Sequence, residues 1–262
     1  MNPTQNPLVS VITPSYNQAL FLEATIHSVL EQDYPNLEYI IVDGGSTDGS
    51  PEIIRRYADR LAWWVSEKDR GHADALNKGF TRAHGQILAW LNSDDIYYPG
   101  AITAAVRALQ SNPDVGMVYA DADLTDEHGQ IIGRFASRQT DYNKLLRGSV
   151  HIPQATTFFR ADLWQQVGPL NLDLFFSFDY DLWVRLAKIS SLLYLPQRWA
   201  AFRLHVGGKS VKNDDLCYPD MLKVYARERG QGISWLWLRA KTRRLIYAWL
   251  PLRFRLFLRR LV

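Results

Sequence analysis

The sequence predicts an α/β fold: a mostly parallel, right-handed sheet flanked by helices. Three observations carry this expectation. Apolar, strand-like runs alternate with helical spacings from Leu8 to Leu124, the pattern of stacked βα units. Every suggestive polar or Gly-rich cluster sits at the end of a strand candidate: Pro14 to Asn17, Asp43 to Ser46, Ser66 to Asp69, and Asn92 to Asp95. Ligands of open α/β sheets bind beyond such carboxyl ends. Finally, 262 residues with 47% apolar and 22% charged content suit one large globular domain, or one domain plus an extension.

The elements follow in order. LVSVITPSY is a β-rich run, broken at Pro14. ALFLEATIHSVLEQ places Leu20, Ile26, Val29 and Leu30 at helical spacing. LEYIIVDGGSTDGS is a second strand entering a Gly-rich turn. SPEIIRRYADRL reads as a helix with Ser50 as cap and Pro51 at its first position. LAWWVSE is a short third strand, and HADALNKGFTRAH a helix ended by Gly85. QILAWLNSDD is the fourth strand, PGAITAAVRALQSNP a helix closed by Asn112 and Pro113, and VGMVYADADL the fifth strand. From about Gly129 the alternation weakens, and residues 134–168 read as excursions around a pocket. SFDYDLWVRLAKIS returns to a helical period, with Asp179 and Asp181 at its start. Acids favour a helix N-terminus, so capping is the plain account of both.

Composition excludes several classes. Cys217 is the single cysteine, so no internal disulfide forms and a reducing compartment fits. Neither GxGxxG nor GxxxxGKS occurs, which argues against dinucleotide oxidoreductases and P-loop enzymes. The N-terminus lacks the pattern of a signal peptide. The net charge of +3 conceals an asymmetry. Nine of the 30 Lys and Arg residues lie in 229–262, leaving 21 against all 27 acids in 1–228, a formal −6. An acidic body opposes nucleic-acid binding.

The Asn92-Ser93-Asp94-Asp95 run is the most suggestive cluster. Adjacent carboxylates at a strand end are costly without a cation. Hard divalent ions take carboxylate oxygens and bridge to phosphates, so the pair suggests a metal–diphosphate site. The competing account is a helix cap, with Pro99 near the first turn.

Together VSVITPSYNQ, IIVDGGSTDGS, SEKDRGHADALNKGF, LNSDD, HIPQATTFFR and FDYDLWVRLA resemble family 2 glycosyltransferases, in order over roughly residues 8–210. The resemblance implies a GT-A fold, Rossmann-like, and inverting sugar transfer from a nucleotide-sugar donor, a UDP-sugar foremost, with Mg2+ or Mn2+. By position it implies that Pro14, Tyr16 and Asp43 line the base and ribose pocket, with Asp43 accepting a uracil imide N–H. An Asx-turn at Asp43-Gly44-Gly45 is the alternative. Asp69, Arg70 and Asp74 match a segment beside the nucleotide, against a plain helix start. Asp94 would contact the ribose and Asp95 the metal. Asn92 stands where the family's Asp-x-Asp motif usually begins. Asp179 matches the catalytic base, with Asp181 its competitor and Phe178 in place of a common Glu. His205 would complete the metal shell or touch the diphosphate, and His151 with Gln154 would line the acceptor side. Arg160 and Arg185 read as packing or ion-pair residues.

The expected division is a catalytic domain over 1–228 and a basic amphipathic tail over 229–262. In 233–262, Trp235, Leu238, Thr242, Leu245, Ile246 and Trp249 share a helical face, with Arg239, Lys241, Arg243 and Arg244 mostly off it. The tail has no 18-residue stretch free of charge, so the expectation is an interfacial helix on an anionic membrane. The alternative is a helix packed on the body or in an oligomer interface. A cytoplasmic protein peripheral to the inner face of the membrane follows, with a glycan or lipid-linked acceptor in surface polysaccharide or glycolipid synthesis. The rival functions are another nucleotide-sugar enzyme, such as a pyrophosphorylase, and a non-catalytic membrane-associated scaffold of the same fold. TPSYNQ lacks the glycines and positive charge of a pyrophosphorylase loop.

Overall fold

The structure, a computed structural model, describes residues 6–148, 150–209, 216–229, 235–238 and 240–242. The first half runs β1 (Val9–Ser15), α1 (Ala19–Leu30), β2 (Leu37–Asp43), α2 (Ser50–Arg56), β3 (Trp63–Ser66), α3 (His72–Arg82) and β4 (Ile87–Trp90). Then come β5 (Ile96–Tyr97), α4 (Ala101–Ser111), β6 (Val115–Thr125), β7 (Ile131–Phe135) and α5 (Tyr142–Leu146). The last elements are β8 (Phe158–Arg160), α6 (Ala161–Val167), α7 (Phe178–Ile189), β9 (Ser191–Arg203) and α8 (Cys217–Arg229).

Nine strands of the described residues form one sheet, ordered β3-β2-β1-β4-β8-β6-β9-β5, with β7 paired to β6. The β3-β2-β1-β4 half is parallel throughout, as the strand–helix alternation implies. All four carboxyl ends therefore lie on one edge. The other half is mixed: β8 runs antiparallel to β4 and β6, while β9 runs parallel to β6.

Two-residue periodicity sends alternate side chains to two helical layers. Ile12, Ile40, Val42, Leu88, Trp90 and Phe159 face a core shared with α3, α7 and α8. Val11, Tyr39, Ile41, Ile87, Ala89 and Phe158 face a core shared with α1 and α4. Each buried Val, Ile, Leu or Phe among them contributes about 1.5–3 kcal/mol. The α3 layer sits close to the sheet at Gly79, where an added Cβ would lie 2.5 Å from Ile12 Cγ2.

Local expectations differ from the structure at several points. Pro14 does not break β1. Pairing with β4 ends at Ile12, so β1 has only β2 as neighbour at Pro14, and the missing N–H costs no ladder bond there. Ser50 is the first residue of α2 rather than its cap; Gly49, at φ 96°, holds that position. In α1, Phe21 and Leu22 are buried while Leu20 is 82% exposed. Asp94 and Asp95 cap no helix, because β5 intervenes and α4 follows Gly100. The expected excursions contain β7, α5, β8 and α6. Strand β9 escaped notice because Pro196 and Gln197 interrupt its pattern. The register with β6 jumps there from Ala120↔Leu195 to Asp121↔Arg198, a bulge that absorbs them.

Candidate active site

A cleft of about 670 Å³ opens at the carboxyl edge of the parallel strands. Pro14, Ser15 and Tyr16 after β1, Gly44 and Gly45 after β2, and Asn92 to Asp94 after β4 line it. Lys68, Asp69 and His72 lie beyond β3, and Phe175, Phe178 and Asp179 arrive with α7. Arg203 and Gly207 to Lys209 close the set.

Asp43 is buried and organises the turn after β2. Its Oδ2 accepts from the N–H groups of Gly45 (3.2 Å) and Ser46 (2.9 Å) and from Ser66 Oγ (2.7 Å). Its Oδ1 accepts from Ser46 Oγ at 2.5 Å. The Asx-turn is thus realised, and Asp43 lies behind the lining. Asn17, at φ 52°, ties this turn to the β1 end: its N–H donates to Ser46 Oγ, and its Oδ1 accepts from Thr47 N–H. Tyr16 projects outward, largely exposed.

Asp69 lines the cleft and accepts from Gly71 N–H at 2.7 Å. Burial pushes its carboxyl above the usual range, with the charges of Asp74 and Asp43 adding to the effect. Gly44 permits this approach, since a Cβ there would meet Asp69 Oδ2 at 2.7 Å. Arg70 and Asp74 do not reach the lining. Asp74 accepts from both the backbone and the guanidinium of Arg70, and Arg70 is 74% exposed. Burial alone would raise Asp74, but the bonds from Arg70 and the charge of Lys78 hold it below the usual range.

The two motif carboxylates have opposite surroundings. Asp94 faces the cleft, with His205 Nε2 3.0 Å from its Oδ2. Asp95 is 1% exposed, points away, and accepts from Arg203 N–H at 2.9 Å and Asn92 Nδ2 at 3.3 Å. Burial, then the charge of Asp94, raises its carboxyl well above the usual range. Arg203 binds the pair together: its Nε donates to Asp94 O, and its guanidinium lies 4.8 Å above the Phe21 ring. His205 packs on the same ring, at 4.6 Å.

Asp179 stands in the first turn of α7, lines the cleft, and accepts from Tyr180 N–H at 2.7 Å. Burial raises its carboxyl to about 6, against partial offsets from that bond and from Lys209. Asp181 is fully buried, bound to Arg185 Nε at 2.9 Å and Arg227 Nη1 at 2.5 Å, so it serves structure. Arg160 donates to the carbonyls of Leu109, Asn112 and Val115, a packing role like that read for Arg185. Gln154 lines the cleft and donates to Trp90 O at 2.7 Å; His151 lies outside the lining.

Buried polar atoms are normally hydrogen-bonded. Of the nine buried side-chain atoms without a hydrogen-bond partner among the described residues, five belong to residues that line the cleft: Ser15 Oγ, His72 Nε2, Trp90 Nε1, Asn92 Oδ1 and Gln154 Oε1. That concentration marks a surface built to meet polar ligand atoms. Sequence reasoning missed His72, Arg203, Lys209, Phe175 and Phe176. His72 is part of the helical pattern of α3, and its imidazole is driven to about 3 by burial, then by Lys209, against Asn92. Only Lys209, which follows two glycines shortly after His205, offered a sequence signal.

Among the described residues, no group of three or more His, Cys, Asp or Glu side chains stands ready to hold a metal. Near the motif, Asp94 and Asn92 line the cleft and His205 stands behind Asp94, while Asp69 and Asp179 line the cleft from other elements. Two oxygens and an imidazole form a donor set that suits Mn2+ or, more weakly, Mg2+.

Known proteins resemble this chain in sequence and in fold. The family described as Glycosyl transferase family 2 matches residues 10–166. An uncharacterized glycosyltransferase of Rickettsia typhi is 31% identical over 212 residues, 77% of this chain; the chain spans 65% of that relative's length. Bacillus subtilis TuaG, a glycosyltransferase with a proposed place in teichuronic acid biosynthesis, is 49% identical over 92 residues, 34% of this chain and 36% of TuaG. A mannosyltransferase of Pyrobaculum calidifontis, solved with GDP-Man and Mn2+, superposes with a TM-score of 0.67 at 25% identity, covering 88% of this chain and 67% of that one.

Proposed function

The chain belongs to glycosyl transferase family 2, and from that premise we propose that it transfers a sugar, with inversion, from a nucleotide-sugar donor to an acceptor hydroxyl. The observation that carries this reading is the convergence of Asp179 and Asp94, the latter backed by His205, on one cleft at the sheet edge. Asp179 is the general base: a carboxylate titrating near 6 is ionised at neutral pH yet basic enough to take the hydroxyl proton. The bond from Tyr180 N–H fixes its orientation. The acceptor oxygen then attacks the anomeric carbon opposite the diphosphate, without a covalent enzyme intermediate.

Pro14 and Tyr16 flank the base and ribose, and Asp43 supports them by holding the adjoining turn. Asp69 lies beside the nucleotide. Arg70 and Asp74 act from behind, fixing the start of α3. Gln154 lines the acceptor side. Asp94, His205 and Asn92 would hold Mg2+ or Mn2+, while Asp95 braces the motif through Arg203. That assignment moves the metal contact from Asp95 to Asp94, because only Asp94 faces the cleft. Bound there, the ion supplies a Lewis acid that neutralises charge on the departing nucleoside diphosphate.

TuaG supports a place in surface polysaccharide synthesis, and the mannosyltransferase supports a divalent ion and a nucleotide donor. UDP-sugars remain our first choice of donor. Residues 229–262 are read as a tail that touches anionic lipid at the inner face of the membrane. Most of it lies outside the described residues. Within them, Leu236 is buried against the body, so Trp235, 69% exposed, and Leu238 would face lipid. No helix among the described residues is long and apolar enough to cross a membrane.

The test is a panel of UDP- and GDP-sugars, screened by calorimetry with and without MnCl2 and followed for slow hydrolysis. One donor should bind in a metal-dependent way. If none binds under either condition, the assignment fails.

A further inference from the structure

We propose that Lys209 and Phe175 form an acceptor subsite for an anionic saccharide, one carrying a carboxylate or phosphate near the hydroxyl that is glycosylated. The proposal rests on Asp179 as the base. Lys209 Nζ lies 4.5 Å from the Phe175 ring centroid and 4.8 Å from that of Phe178, the residue preceding Asp179. All four residues line the cleft. Aromatic faces hold an ammonium by its charge but leave its N–H donors unused. Among the described residues Lys209 Nζ makes no hydrogen bond or ion pair, so those donors are available to a ligand.

Its neighbours set the sign and the partner. Asp179 and Asp220 keep Lys209 charged against burial, which lowers it to about 8. In an inverting, in-line displacement the nucleophile and the leaving diphosphate lie on opposite sides of the anomeric carbon. An ammonium grouped with the base is therefore on the acceptor's side. Phe175 stays 55% exposed although Lys209 packs on it, and a flat exposed ring beside a cation suits one face of a sugar. A neutral acceptor would leave this half-buried charge without a hydrogen-bonding partner, which is costly.

The experiment uses the full-length protein with MnCl2 and UDP or GDP, and measures saccharide binding by saturation-transfer NMR. Methyl β-D-glucuronide, glucose 6-phosphate and methyl β-D-glucoside are compared. One or both anions should bind at least tenfold more tightly than the glucoside, and which one binds separates carboxylate from phosphate. Lys209→Met should abolish that preference while glucoside and nucleotide affinities stay within twofold, and Lys209→Arg should retain it. Phe175→Ala should weaken all three saccharides. Equal binding of the three by the unaltered protein overturns the proposal, as does an intact preference in Lys209→Met. Loss of nucleotide affinity in Lys209→Met, with Lys209→Arg normal, also overturns it and assigns the ammonium to the leaving diphosphate. Absence of nucleotide binding in the unaltered protein removes instead the glycosyltransferase reading beneath it.

Discussion

His205 Nε2 lies 3.0 Å from Asp94 Oδ2, joining residues 111 positions apart directly behind the cleft that Asp94 lines. Both rest on the same support. Arg203 grips the backbone of Asp94, its N–H holds Asp95, and its guanidinium shares the Phe21 ring with His205. The strand end after β4 and the segment after β9 are thereby locked together, which gives a metal ligand pair a rigid base.

Asp94→Asn and His205→Ala should each weaken metal-dependent nucleotide binding by at least about 10–100-fold, the loss that removal of a group merely orienting a metal ligand already causes. Calorimetric titration of UDP or GDP across a MnCl2 series checks this. Asp95→Asn should weaken it less; an equal loss would return Asp95 to the metal shell.

Asp179→Asn should lower the transfer rate by about 10²–10⁴ while donor affinity is kept. In the unaltered enzyme, kcat/KM should fall about tenfold per pH unit below 6 and level off above it, because only the ionised carboxylate accepts a proton. Survival of full transfer in Asp179→Asn would sink the base assignment.

The same residue couples stability to pH. Unfolded, Asp179 ionises near 3.8; folded, near 6, so the native state holds its proton more tightly. The stability this adds is full below 3.8 and lost as pH rises through 6. Asp179→Asn should therefore stabilise the protein at pH 7–8, on the order of 1–2 kcal/mol, and matter little at pH 4. Urea unfolding at both pH values reads the difference.

Asp181→Ala should cost about 3–5 kcal/mol, because it strands Arg185 and Arg227 without their buried partner. Donor affinity in the folded fraction should be unchanged. Equilibrium denaturation followed by tryptophan fluorescence measures the first, and titration the second.

Gly79→Ala should destabilise by about 1–3 kcal/mol despite the helix preference of alanine, since its Cβ would overlap Ile12. Thermal unfolding should show a lower midpoint; a rise would mean that α3 can shift off β1. For the tail, deletion of 233–262 should abolish flotation with anionic vesicles, and unchanged flotation would remove lipid contact from the reading.

Much of the architecture is legible in the chain itself. Near-continuous apolar runs between Val9 and Trp90 specify strands buried on both faces, and the helical spacings between them require parallel crossovers. Those local periodicities place Tyr16, Gly44, Asp69 and Asp94 at one edge without further information. Local pattern could not report partners distant in sequence. Asp94 and Asp95 are chemically identical neighbours, and only the arrival of β9 decides that Arg203 takes one and the cleft receives the other. Asp179 and Asp181 both suit a helix start, and only the packing of α8 hands Asp181 to Arg227 and leaves Asp179 exposed to ligand. Periodicity is a property of a few successive residues, so the sequence determined the elements of the parallel half and their order. Burial and charge pairing depend on what packs opposite, so the tertiary structure alone decided which carboxylates can act.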